Sequence, residues 1–168
     1  GDSIIKPLFR QKFENSDVTK ITVLEDGDSV KFAFANGSDL LVTDGNNIIS
    51  TIPDFHGGYK IASAKIGDKI IAIGNRFNRI NYWISENSQL TSGSLEIQYE
   101  ASTMPVIRKT LTESYELIIG TTAGIILVYN LESIISGNTT IKDSILVDPT
   151  YPILKISASG SSISAITN

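Results

Sequence analysis

Histidine occurs once in the chain, at position 56. A Ser-His-Asp triad or an imidazole metal cluster would have to be built around that single side chain. Its setting, Phe55-His56-Gly57-Gly58, reads as a loop in which a structural hydrogen bond is the expected job. Two acidic stretches, Glu25-Asp26-Gly27-Asp28-Ser29 and Thr43-Asp44-Gly45-Asn46-Asn47, gather oxygen donors as calcium loops do. Neither has alternating donors closed by a glutamate, and both carry the Asp, Asn and Gly chemistry of tight turns. Glu25 and Asp26 are adjacent, and adjacent residues of a strand point to opposite faces, so the two carboxylates cannot work as a pair. The chain has no cysteine, which removes disulfides, thiolate zinc sites and cysteine nucleophiles together. It also lacks G-x-G-x-x-G, P-loop and G-x-S-x-G patterns. These residues point to a protein with no catalytic, cofactor or metal site.

Aromatic and basic residues offer more. Arg76-Phe77-Asn78-Arg79 sets an aromatic ring between arginines, the composition of an interface hot spot. The competing reading folds Phe77 back against Trp83 or a neighbouring sheet. Arg108-Lys109 lies in strand-like sequence and is expected to be solvated. Trp83 and Tyr129 could stack on a ligand, but at the ends of apolar runs they read as core anchors. Phe32, Phe34, Ile71, Ile73, Leu117, Ile119, Ile126 and Val128 are expected to join them.

The elements that hold these residues must be strands. Helical periodicity is scarce and β-branched residues dominate, with Leu131-Glu132-Ser133-Ile134-Ile135 able to form one helical turn. Strands are predicted at 20–25, 29–35, 40–43, 48–52, 59–66, 69–74, 80–85, 95–99, 105–110, 115–120, 125–130, 141–147, 153–158 and 162–167. Between them lie Asn, Asp and Gly, which tolerate positive φ or bond their own backbone. Many short, evenly spaced strands predict an antiparallel all-β fold.

The strands also repeat. Lys69–Glu86 and Tyr115–Glu132 superpose at an offset of 46, with Ile71 to Ile73 over Leu117 to Ile119, Gly74 over Gly120 and Trp83 over Tyr129. An earlier copy sets Thr43 against Trp83 at an offset of 40, with a hairpin expected to be one residue shorter. Each copy has a strand before its hairpin and one after it. A unit of four antiparallel strands with a period of about 40 to 45 residues is a propeller blade.

With that period in view, the chain resembles a WD40-type β-propeller along nearly its whole length. The family closes each third strand with Trp-Asp; Thr43-Asp44, Trp83-Ile84 and Tyr129-Asn130 stand there. The family's Gly-His is met only by His56-Gly57-Gly58-Tyr59, in reversed order. The resemblance implies an all-β, WD40-like β-propeller segment of about three and a half four-stranded antiparallel blades. Residues 3–13 would be an outer strand of a preceding blade, 20–52, 59–99 and 105–148 three blades, and 153–168 the inner strands of a further one. A ring of four to eight blades is needed for closure, so the rest is expected from a longer chain. Loops between blades and turns of central hairpins share one face of a propeller. Phe55, His56, Arg76, Phe77 and Arg79 are therefore the candidate interaction surface.

The 168 residues are 41% hydrophobic and 19% charged, enough for a folded core, and carry a net charge of −4. That field opposes direct contact with nucleic acid. No apolar run is long enough to insert in a membrane, and the first residues lack a signal-peptide core. Cysteine absence agrees with a reducing compartment, so an intracellular site, cytoplasmic or nuclear, is expected. Two glycosylation sequons, at Asn36 and Asn138, lie in turn-like sequence. The implied function is a non-catalytic protein-protein interaction scaffold within a larger multi-subunit complex. Two other readings stay open: a module binding a glycan or small ligand at the central channel, and a subunit of a ribonucleoprotein or chromatin-associated complex.

Overall fold

The computed structural model describes residues 18–26, 29–36, 39–43, 48–52, 61–86 and 89–168. The expected strand at 3–13 and the residues Phe55 and His56 lie outside the described residues. The first sheet is β1 (Val18–Asp26), β2 (Ser29–Asn36), β3 (Asp39–Thr43) and β4 (Ile48–Ile52). The second is β5 (Ile61–Ile66), β6 (Lys69–Arg76), β7 (Arg79–Glu86) and β8 (Gln89–Glu96). The third is β9 (Val106–Lys109), β10 (Tyr115–Gly120), β11 (Ile125–Asn130) and β12 (Ile141–Leu146), with helix α1 (Leu131–Ile135) between its last two strands. β13 (Lys155–Ser159) and β14 (Ser162–Ile166) form a two-stranded sheet. Every sheet is antiparallel with its strands in chain order, which is the meander of a propeller blade. The fold is all-β and of the propeller type.

Apolar side chains clamp the sheets face to face. Ile71 and Ile73 of β6 and Ile80 of β7 meet Leu117, Ile119, Leu127 and Tyr129 of the third sheet, all buried. The other face of that sheet presents Ile118, Ile126 and Val128 to Ile153 and Ile156, beside the β13–β14 hairpin. Burial on both faces explains why β10 and β11 read as unbroken apolar runs rather than as alternating ones. The helix forms where Asn130 caps it, its side-chain oxygen accepting from Ser133 N at 3.1 Å, and it buries Leu131 and Ile134.

The fourth strand of the second sheet departs from the expectation at 95–99. β7 runs on to Glu86 and pairs it with Gln89, so β8 begins at once. Its sequence, Gln89–Glu96, is polar because an outermost strand meets solvent; Thr91, Ser92, Ser94 and Glu96 are exposed. Buried Ile97 and half-buried Tyr99, which suggested a strand, belong to the connection that follows.

The match of Trp83 to Tyr129 is also corrected. Tyr129 pairs with Leu117, whose counterpart Ile71 pairs with Ile84, whereas Trp83 pairs with Ala72. The third hairpin is one residue shorter than the second, while the first, with Phe32 opposite Thr43 and Asn36 opposite Asp39, matches the second in length. A shift of one residue reverses the face. Tyr129 therefore joins the core between second and third sheets, and Trp83 points away from it with Asn81. Both remain anchors, 1% and 2% exposed.

Candidate interaction surface

β6 and β7 close on each other through Arg76 opposite Arg79, leaving Phe77 and Asn78 as a two-residue turn. Phe77 has φ 52 and Asn78 does not share the positive sign, the pattern of a turn that usually places glycine first. A bulky residue there is strained, and strain of this kind persists only where the surroundings over-determine it. Those surroundings are visible. Ala101 N donates to Phe77 O and Ile97 N to Asn78 O, both at 2.7 Å, and buried Ile97 and Ala101 root the donating segment. Asn78 Nδ2 donates to Glu96 Oε1 at 2.7 Å.

The side chains of this turn face outward. Phe77 is 58% exposed and does not fold onto Trp83 or a neighbouring sheet. The Arg76 guanidinium carbon lies 5.0 Å from the ring centroid, within range of a cation–π contact. Arg79 is exposed on the opposite stem. The structure thus brings Arg76, Phe77 and Arg79 together. The connection 97–105 runs beside this turn and on to the next central turn, where Thr122 N donates to Glu100 O at 2.9 Å. Exposed Met104 and Tyr151 stand in the two connections of this same end.

One ionisable cluster escaped the sequence reading. Glu116 is buried in β10 and opposes Arg108 of β9, which places Nη2 at 2.6 Å and Nε at 2.7 Å from Oε2. Lys142 Nζ holds the other oxygen at 2.6 Å. Lys142 is the extra residue of a bulge in β12, lying between Asp143, opposite Val128, and Ile141, opposite Tyr129. The bulge turns its side chain across β11 to the carboxylate. Burial alone pushes the Glu116 carboxyl up, but the hydrogen bonds and charges of Lys142 and Arg108 outweigh it and hold it below the usual range. Arg108 also donates to Ser162 O at 3.3 Å, tying the third sheet to the β13–β14 hairpin. The expectation of a solvated Arg108 fails for this reason: its position is cross-strand from an acid. Lys109 is exposed and pairs with Glu113. The signal available in the sequence was a lone glutamate heading an apolar strand, eight residues from an arginine.

The Glu116 carboxylate has both oxygens committed, so the cluster acts as a strut rather than as an acid or base. Among the described residues no group of three or more metal-ligating side chains could hold a metal ion, and no helix is long and apolar enough to cross a membrane. Face-packed, four-stranded meanders of this kind are the blades of a β-propeller, and a solved structure is similar in fold. The chain is similar to the crystal structure of BBS1N in complex with ARL6DN, soaked with mercury, with a TM-score of 0.61 and 11% identity over 89% of this chain and 47% of that one. A crystal of the same complex soaked with lead gives a TM-score of 0.47 and 12% identity over 93% of this chain and 64% of that one. The chain therefore spans about half the length of the first of these structures. No family model and no curated protein matches the sequence.

Proposed function

We propose that this chain is a segment of a WD40-like propeller that serves as a non-catalytic scaffold in a larger protein assembly. Another protein seats on the end that carries Phe77. One observation carries the reading: a large aromatic is held at positive φ, more than half exposed, on a turn whose carbonyls are both tied down. A folding role would bury the ring, and a mere turn would use glycine or asparagine. A rigid aromatic flanked by arginines loses little entropy on binding and is the kind of residue that dominates interface energies. That the similar BBS1N was crystallised in complex with ARL6DN supports a protein partner for a fold of this type.

In this reading residues 20–52, 59–99 and 105–148 are three blades, 3–13 close a preceding one, and 153–168 begin another. The remaining blades come from the same longer chain, and the assembly is intracellular, in cytoplasm or nucleus. The net charge of −4 favours a protein partner over a phosphate backbone. The test is a photo-reactive phenylalanine analogue at position 77 of the full-length protein in cells, compared with the same analogue at Leu111, 81% exposed at the opposite end of the sheets. The expected result is one discrete adduct from position 77, lost on Arg79→Glu. Equal, diffuse labelling from both positions refutes the proposal.

A further inference from the structure

A second surface lies at the other end of the sheets, away from the Phe77 turn and independent of it. Between the second sheet and α1 there is an open groove of about 550 Å3. It exists because the two sheets are joined differently at this end. The second sheet pairs Glu86 of β7 with Gln89 of β8, whereas the third inserts α1 between β11 and β12. The helix closes the inner part of the gap with Leu131 and Ile134, which are fully buried, and leaves the outer part open.

The floor of that outer part is aliphatic. Ile66, Ile84 and Ile135 line it, each only half-buried. Its rim is charged and carries an excess of acid. Lys69 and Glu86 pair with each other at 3.4 Å, both half-buried, and Glu132, exposed at the start of α1, has no cation within ion-pair distance among the described residues. An aliphatic floor of this volume accommodates a few apolar side chains, and the uncompensated carboxylate favours a cation beside them.

We infer that this groove receives an extended segment of a partner protein in which aliphatic residues are flanked by arginine or lysine. The apolar side chains cover the three isoleucines, and the flanking cation meets Glu132. The polar outer strand β8 forms one wall, so the segment lies between that strand and the helix.

The test uses the full-length protein and three fluorescent ten-residue peptides, otherwise Gly and Ser, with Arg-Leu-Leu-Arg, Arg-Ser-Ser-Arg or Glu-Leu-Leu-Glu at the centre. Fluorescence polarisation is expected to show saturable binding of the first alone. Glu132→Lys is expected to weaken it by about three- to tenfold, the scale of a partly exposed charge contact. Thr91→Trp, a groove-lining and exposed position, is expected to abolish it. Both variants sit on the surface, and an unchanged thermal transition confirms that they fold. Equal binding of the serine peptide, or indifference to both variants, overturns the proposal. Concentration-dependent self-association that Glu132→Lys abolishes also overturns it, because the occupant is then a second copy of the chain.

Discussion

Arg108 and Glu116 face each other across β9 and β10, with two guanidinium nitrogens on one carboxylate oxygen at 2.6 and 2.7 Å. Lys142 takes the other oxygen, so the buried charge has partners on both sides. Removing the carboxylate leaves a largely buried guanidinium unpaired. Glu116→Gln is expected to cost about 2 to 4 kcal/mol at neutral pH. The carboxyl is held below its ordinary value of 4.5 in the fold, so the ionised form contributes stability that is complete above that value. This contribution is lost as pH falls through the lowered folded pKa. Urea unfolding of the two proteins between pH 7 and pH 2 should show a gap that closes at the acid end. A constant gap would mean that the charge is not what stabilises this site.

Phe77 tests the division between folding and binding. Its φ of 52 is one that asparagine adopts readily and a bulky aromatic does not. Phe77→Asn should leave stability unchanged or raise it by about 0.5 to 1 kcal/mol, because relief of strain outweighs one exposed cation–π contact. Partner binding should fall sharply in the same variant. Thermal denaturation and the cross-linking assay read the two effects separately. A destabilisation above about 3 kcal/mol would give Phe77 a core role and remove it from the interface.

The legibility of this fold in its sequence follows the apolar pattern. β4, β10 and β11 lie where the pattern predicts them, residue for residue, because apolar runs end there at turn-forming residues. β8 is hidden because an outer strand carries serines, a threonine and a glycine, and nothing in that composition distinguishes an edge from a loop. The facing of Trp83 and Tyr129 was invisible for another reason. It depends on one residue of hairpin length, set by Thr121, whose hydroxyl donates to Ile125 O at 2.7 Å and whose N donates to the same oxygen at 3.0 Å. Lys142 reaches Glu116 only through a bulge, and no periodicity reports a bulge. Phe77 was legible as a candidate because its flanking arginines were, but its outward direction required the backbone.

Gly124 closes the same turn and shows how tightly the next connection is laid over it. Its φ is +71, and a Cβ there would overlap Asp148 O and sit 2.8 Å from Tyr151 O, both backbone atoms. Gly124 O in turn accepts from Val147 N at 3.0 Å. Gly137, with φ +89, has open space where its Cβ would be. Gly137→Ala should therefore cost only the backbone term, about 1 to 2 kcal/mol. Gly124→Ala must move the connection as well and should cost more than about 3 kcal/mol, or prevent folding. Chemical denaturation of the pair measures the difference, and equal losses would show that the connection gives way easily.

Tyr129 carries the last prediction. Its ring is 1% exposed among Ile71, Ile73, Leu117 and Leu127, and its hydroxyl has no hydrogen-bond partner among the described residues. Burial pushes the phenol up to about 12, so the group stays neutral through the physiological range. An unpartnered buried hydroxyl costs free energy that a hydrogen atom in its place would not, about 1 to 3 kcal/mol for the lost solvation. Tyr129→Phe should therefore be neutral or stabilising, while Tyr129→Ala should cost about 3 to 5 kcal/mol through the cavity it opens. Calorimetry on the two variants separates ring from hydroxyl. A loss in the Phe variant comparable to that in the Ala variant would show that the hydroxyl has a partner, and would make this tyrosine a polar link between the second and third sheets rather than a packing anchor.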